Sequence, residues 1–149
     1  MIKITKAKKN DFKEYLGLKE KSLKEYSKIT QQKIPINHKE IKKEFKEFFN
    51  SPKRFLLFAK DGNAIVGFLI GTLITYIFRK TGYIDDIFVK REFRKKGIAS
   101  LLIKNFIQIT EKKGARKFRL GVNPKNKNAI KLYKKLGFKI THYELEKTK

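Results

Sequence analysis

From Arg54 to Val89 the pattern changes from helical spacing to short apolar segments separated by turn signals, as strands with a period of two require. "RFLLFAK" and "AIVGFLIGTLITYIF" flank "DGN", a hairpin turn sequence, so Arg54 to Ile77 is expected to form two antiparallel strands. "GYIDDIFV", Gly82 to Val89, is expected as a third strand after a turn at "RKTG". This antiparallel block constrains everything around it.

On both sides the period lengthens. Ile2 and Ile4 alternate with polar residues as in a half-buried strand, but from Asp11 a helix is expected. Phe12, Tyr15, Leu16, Leu23 and Tyr26 recur near 3.6 residues, with Asp11 as the cap. A second helix over about Lys39 to Phe49 carries Ile41, Phe45, Phe48 and Phe49 as its apolar stripe, and "NSP" stops it. Beyond Val89 a helix is expected from Gly97 to Lys113, with Ile98, Leu101, Leu102 and Ile109 inward and Gly114 just past its end. "KFRLGV" alternates as a strand. A shorter helix over Asn126 to Leu136 ends at Gly137, and "FKITHYEL" is expected as a last strand. The order is therefore β-α-α-β-β-β-α-β-α-β: a single α/β domain over residues 1–149 with a mixed, mostly antiparallel sheet. Gly82–Val89, the helix after it and Lys117–Val122 form a βαβ crossover, expected to be right-handed. Open sheets of this kind take ligands outside the carboxyl ends of such strands, where the next helix begins.

Composition removes several chemistries. The chain has 149 residues and no Cys, which excludes disulfides, thiol nucleophiles and Cys-ligated zinc and fits a reducing interior. His38 and His142 stand alone among sparse carboxylates, so no metal site is expected. "MIKITKAKKN" has no apolar core of signal-peptide length, and Gly67, Gly71 and Thr72 interrupt the longest apolar run. A cytoplasmic protein is expected. The formal net charge of +24 would attract polyanions, nucleic acid and acidic cofactors included. The basic residues are nevertheless spread over the whole length and are mostly Lys, which reads as composition more than as a binding patch.

The position after the "GYIDDIFV" strand holds "REFRKKGIAS". A helix start offers unpaired backbone N–H groups and a positive dipole end, both favourable to an anion. Gly97, Ala99 and Ser100 keep the backbone approachable there, with Arg94, Lys95 and Lys96 just before them. GxxxxGK[ST] and GxGxxG are both absent, so nucleotide hydrolysis and dinucleotide redox chemistry lack their usual signatures. Alone, the stretch also reads as a basic loop capping a surface helix.

Its company sharpens the reading. Arg94, Gly97 and Ala99 meet the pattern [QR]xxGx[GA], and some 25 residues on Asn126, Ala129, Tyr133, Gly137 and Phe138 meet N-x-x-A-x-x-x-Y-x-x-x-G-F. In this order and spacing the chain resembles the GNAT family of N-acetyltransferases, whose members bind acetyl-CoA. The departures are Ala99 and Lys95, where glycine is commoner. The resemblance implies the acyl-CoA N-acyltransferase fold, with acetyl-CoA as cosubstrate and no metal. It implies that backbone N–H groups of Lys95, Lys96, Gly97, Ile98, Ala99 and Ser100 hold the pyrophosphate, with Arg94 nearby. The strand edge at Ile87, Phe88 and Val89 would bind the pantetheine arm as an added peptide strand does. Asn126 would contact that arm across a V-shaped gap, and a backbone N–H near Phe88 or Val89 would serve the oxyanion.

Acetyl transfer from a thioester to an amine needs a neutral amine, donors for the developing oxyanion and an acid for the leaving thiolate. Asp85 and Asp86 are the one adjacent acidic pair, and they interrupt an apolar strand. One reading places one carboxylate in solvent and the other against a Lys or Arg. The functional reading has the pair attract a cationic amine and one of them, through water, take its proton. Side chains alternate across a sheet, so the two share a face only if the strand bulges, as the family resemblance suggests. The pair also resembles the acidic pair of polyamine N-acetyltransferases. Tyr133 matches the family's general-acid position and would protonate the coenzyme A thiolate; at helical spacing with Ala129, Ile130 and Leu136 it also reads as core. His142 reads as structural, and Phe12, Phe48 and Phe49 as core, with an acceptor-pocket role as the alternative.

The chain is thus expected to acetylate a primary amine by direct attack in a ternary complex, a polyamine or other small cationic amine being favoured. Acetylation of protein N-termini or lysines is the alternative within that class. A basic nucleic-acid-binding or ribosome-associated module is the alternative from another class, although no aromatic-interleaved RNA motif is present. A homodimer remains open; a membrane partner is not expected.

Overall fold

The structure is a computed structural model and describes residues 1–149. Its elements run β1 (Ile2–Lys6), α1 (Phe12–Thr30), α2 (His38–Asn50), β2 (Arg54–Asp61), β3 (Ala64–Tyr76), β4 (Arg79–Val89), α3 (Ile98–Lys112), β5 (Ala115–Leu120) and α4 (Lys127–Lys135). The strands form one sheet in the order β1-β2-β3-β4-β5, antiparallel except for the parallel β4–β5 pair that α3 connects.

The period of two sorts side chains onto opposite faces. Phe55, Leu57, Val66, Leu69 and Ile84 meet Leu102, Ile103 and Phe106 of α3. Leu56, Phe58, Ile65, Phe68, Ile70 and Phe88 meet Tyr15 and Leu18 of α1 and Ile41 and Phe45 of α2. Both faces are covered, so β2 is buried without a break from Phe55 to Ala59 and β3 from Ile65 to Gly71. Each large apolar side chain so buried contributes about 1.5–3 kcal/mol. Two glycines make room for the α3 layer. A Cβ at Gly71 would lie 2.3 Å from the ring of Phe106, and one at Gly82 would lie 3.3 Å from it.

Several expectations shift. Asp11 does not cap α1 with its side chain; its carboxylate accepts from the N–H of Lys8 at 2.8 Å and pairs with Lys60 at 3.2 Å, closing the turn before the helix. Asn37 caps α2, its Oδ1 accepting from the N–H groups of Lys39 and Glu40. The turn expected at "RKTG" falls earlier. Tyr76 pairs with Arg79, so Ile77 and Phe78 form the tip and Arg79–Gly82 are already strand.

The last expected strand does not form. The chain leaves α4 through Gly137, at φ 92°, and the N–H of Phe138 donates to Tyr133 O. Phe138 packs on Tyr133, but Ile140, Tyr143 and Leu145 are exposed and residues 139–149 join no ladder. His142 Nδ1 comes within 3.4 Å of Arg119 Nη2, so the segment passes beside β5 by side-chain contact without a backbone ladder.

Candidate functional site

β4 is the strand on which the site is built. Ile70 pairs with Asp86 but Gly71 pairs with Ile84, so Asp85 has no partner across the ladder. This bulge puts both aspartates on the α1/α2 face while Ile84 stays in the α3 layer. Asp86 Oδ2 accepts from Lys19 Nζ at 2.8 Å, and Asp85 Oδ2 accepts from Thr72 Oγ1 at 2.6 Å. Asp85 opens toward the acidic face of α2.

Lys19 was not anticipated. Its side chain is only 10% exposed and its ammonium lies 5.7 Å from the centre of the Phe68 ring. The signal was its spacing, one turn after Tyr15 on the inner stripe of α1, where lysine is out of place. The two aspartates therefore differ. Asp86 is already paired with an internal ammonium, whereas Asp85 is held only by a hydroxyl.

β4 and β5 pair only from Lys80 to Ile84 on β4, so the edge from Asp85 to Val89 is released on that side. β5 itself ends at Leu120, opposite Ile84, which leaves this edge of β4 unpaired where the V-shaped gap is expected. Tyr133 of α4 is 8% exposed, and burial, followed by the negative charge of Asp86, pushes its phenol up to about 12. It is therefore protonated at neutral pH and electrostatically coupled to Asp86. Asn126 begins α4, its Oδ1 accepting from the N–H of Ala129 at 3.3 Å, and Tyr133 follows two turns on. Phe88 and Val89 bury their side chains, so they offer the gap backbone only.

At the end of β4 the chain turns into α3. Lys95 (φ 60°) and Gly97 (φ 76°) adopt left-handed conformations on either side of Lys96, a backbone geometry that gathers N–H groups into a concavity. α3 has no side-chain cap, and no N–H from Lys95 to Ser100 donates to a loop or cap acceptor. Six consecutive donors at the start of a 15-residue helix fit a diphosphate in number and polarity. Ile98 is buried and contributes only its N–H, while Lys95 and Lys96 are exposed.

Arg94 is used differently. Its Nε donates to Val89 O at 2.7 Å, and both terminal nitrogens bind the carboxylate of Glu25 on α1, Nη1 at 2.9 Å. Arg91 reaches the same carboxylate. These cations hold the Glu25 carboxyl below its ordinary range, the hydrogen bond from Arg94 being the largest cause. In the structure Arg94 braces the turn against α1, and Glu25 is a second functional neighbour the sequence reading missed. Phe12, Phe48 and Phe49 pack against the α1/α2 core, and His142 lies beside Thr141 and Arg119.

Residues 20–138 match the model of the acetyltransferase (GNAT) family. The chain belongs to that family. A thialysine N-epsilon-acetyltransferase of Sus scrofa is 47% identical over 55 residues, 37% of this chain and 32% of that protein. That of Mus musculus is 37% identical over 79 residues, 52% of this chain and 46% of that protein. An uncharacterized N-acetyltransferase of Methanocaldococcus jannaschii is 43% identical over 60 residues, 40% and 26% of the two chains. The matched segment thus spans less than half the length of these relatives. Among solved structures, the aminoglycoside N-acetyltransferase AAC(6')-Iy in complex with CoA superposes with a TM-score of 0.86 at 19% identity, over 100% of this chain and 95% of that one. The fold of this GNAT chain is accordingly the family's own. No helix in it is long and apolar enough to cross a membrane.

Proposed function

We propose that the protein transfers the acetyl group of acetyl-CoA to a primary amine by direct attack within a ternary complex. The observation that carries this reading is the grouping around β4 of an unpaired strand edge, the buried protonated Tyr133 of α4 and the start of α3 with six free N–H groups. The N–H groups of Lys95 to Ser100 bind the pyrophosphate and the Ile87–Val89 edge binds the pantetheine arm, with Asn126 across the gap. The absence of Cys leaves no thiol to carry an acetyl intermediate and favours direct transfer.

The neutral amine attacks the thioester carbon; a C–N bond forms and the C–S bond breaks. The leaving thiolate takes its proton from Tyr133, and the ammonium formed loses one through water to a carboxylate. Asp85 suits that role better than Asp86, which Lys19 already neutralises. The thialysine acetyltransferases, whose name specifies a side-chain amine, support a small cationic amine as acceptor.

The test is release of coenzyme A thiol with a panel of primary amines. Saturable release with at least one small amine is expected. No release with any amine, together with salt-sensitive RNA binding, would overturn the reading in favour of a nucleic-acid module.

A further inference from the structure

The β3–β4 hairpin is longer than the sheet that carries it. β2 pairs with β3 no further than Thr72, and beyond that Leu73 N–H donates to Lys53 O at 2.8 Å. On the other side β5 begins opposite Lys80. Ile74 to Arg79 therefore form a two-stranded arm with no neighbouring strand, rooted in the core by Leu73.

The end of this arm is apolar. Ile74 and Tyr76 are exposed, Ile77 is 71% exposed and Phe78 is 95% exposed. Tyr76 pairs with Arg79, which makes Ile77 and Phe78 the two-residue turn. Ile77 takes φ 54° at a turn position that favours glycine or asparagine, and a β-branched residue is strained there. So exposed a side chain recovers little of that strain by packing within its own chain.

Charge gathers beneath the tip. Arg79 and Lys80 stand at the root of the arm, Lys112 and Lys113 close α3, and Arg116 and Lys117 begin β5. These stretches meet, since Lys80 pairs with Ala115, Thr81 pairs with Lys117, and Lys80 Nζ donates to Lys113 O at 2.9 Å. All six basic residues are exposed and none forms an ion pair. Glu111 is the one carboxylate beside them.

We propose that this end of the molecule docks on an anionic membrane surface, with Ile77 and Phe78 entering the acyl boundary and the six cations meeting the headgroups. The chemistry selects that occupant. A second copy would bring an identical collar of cations against this one, and nucleic acid would satisfy the collar but set phosphates against the apolar tip. An anionic bilayer supplies negative charge and an apolar layer at successive depths. Phe78 lies about 7 Å beyond Lys80 along a strand, within the roughly 5–10 Å that an interfacial apolar group penetrates. The expectation of no membrane partner rested on the lack of a long apolar run, which surface docking does not require.

The chain contains no Trp, so Phe78→Trp places a single fluorescent reporter at the tip. The full chain is mixed with vesicles of phosphatidylcholine alone, or of phosphatidylcholine and phosphatidylserine in equal parts. Co-sedimentation with the anionic vesicles only is expected, with a blue shift of the Phe78→Trp emission on binding. Phe78→Ser, and separately Arg116→Gln combined with Lys117→Gln, should each weaken binding about ten-fold or more. Leu145→Ser, at an equally exposed apolar residue outside the arm, should leave it unchanged. No binding to the anionic vesicles overturns the proposal. Binding at full strength in Phe78→Ser with unshifted emission also overturns it, because net charge alone then accounts for the attraction. A dimer in sedimentation equilibrium that Phe78→Ser dissociates assigns the tip to a second copy, and RNA binding that Phe78→Ser abolishes assigns it to nucleic acid; either result overturns the membrane surface.

Discussion

Replacing Lys19 with methionine keeps most of the side-chain stem over Phe68 and removes the ammonium from Asp86. The side chains are 10% and 30% exposed, so Lys19 is nearly dry and Asp86 is not. Removing one partner of a fully buried pair costs about 3–5 kcal/mol, because the other charge is stranded. Water already reaches nearly a third of Asp86 and would rehydrate it, which brings the expected loss to about 2 kcal/mol. For 149 residues the unfolding entropy is about 0.3 kcal/mol/K, so the midpoint should fall by about 6–7 °C in a thermal melt. Lys19→Met combined with Asp86→Asn should recover more than half of that loss, since no charge is then stranded. In turnover, the uncovered Asp86 should hold an incoming amine in its charged form, lowering both KM for the acceptor and kcat. A Lys19→Met midpoint within about 1 °C of wild type, or a double variant less stable than Lys19→Met, would refute the argument that this pair is structurally compensated.

Tyr133→Phe should lower kcat about a hundred-fold or more with little change in KM for acetyl-CoA; an unchanged kcat removes the phenol from the mechanism. Because that phenol is raised to about 12, steady-state rates between pH 6 and about 10 should show no limb from its ionisation. Gly71→Ala should destabilise by about 3 kcal/mol in urea titrations, since its Cβ would meet three atoms of the Phe106 ring within 2.9 Å, and Phe106→Leu should relieve part of that loss. The lowered carboxyl of Glu25 adds stability that is complete above its unfolded pKa, about 4.3, and is lost as pH falls through the folded value. Wild type should therefore lose stability more steeply than Glu25→Gln below about pH 5 in urea titrations, and parallel curves would discount the brace.

Much of this architecture is legible along the chain because local periodicity carries it. The short apolar segments between turn signals from Arg54 to Val89 and the helical stripes on both sides assign element types, and the small residues after Arg94 mark the turn into α3. Failures occur where a residue's partner is distant in sequence. Lys19 meets Asp86 across 67 positions and Arg94 meets Glu25 across 69, and neither pairing leaves a periodic trace. "FKITHYEL" alternates as a strand should, yet a strand exists only where it pairs with an edge, and residues 139–149 form no such ladder.

The amino-acid sequence alone determined the order of elements as far as α4 and the family, since spacing and residue type are local properties. Tertiary structure decided how the acidic pair is divided. A one-residue bulge, set by the register of β3 on β4, turns both carboxylates to one face, where α1 neutralises Asp86 and α2 surrounds Asp85 with further negative charge. Charge compensation depends on distances of a few ångströms between separate elements, and those distances exist only once the sheet and its two covering helices have packed.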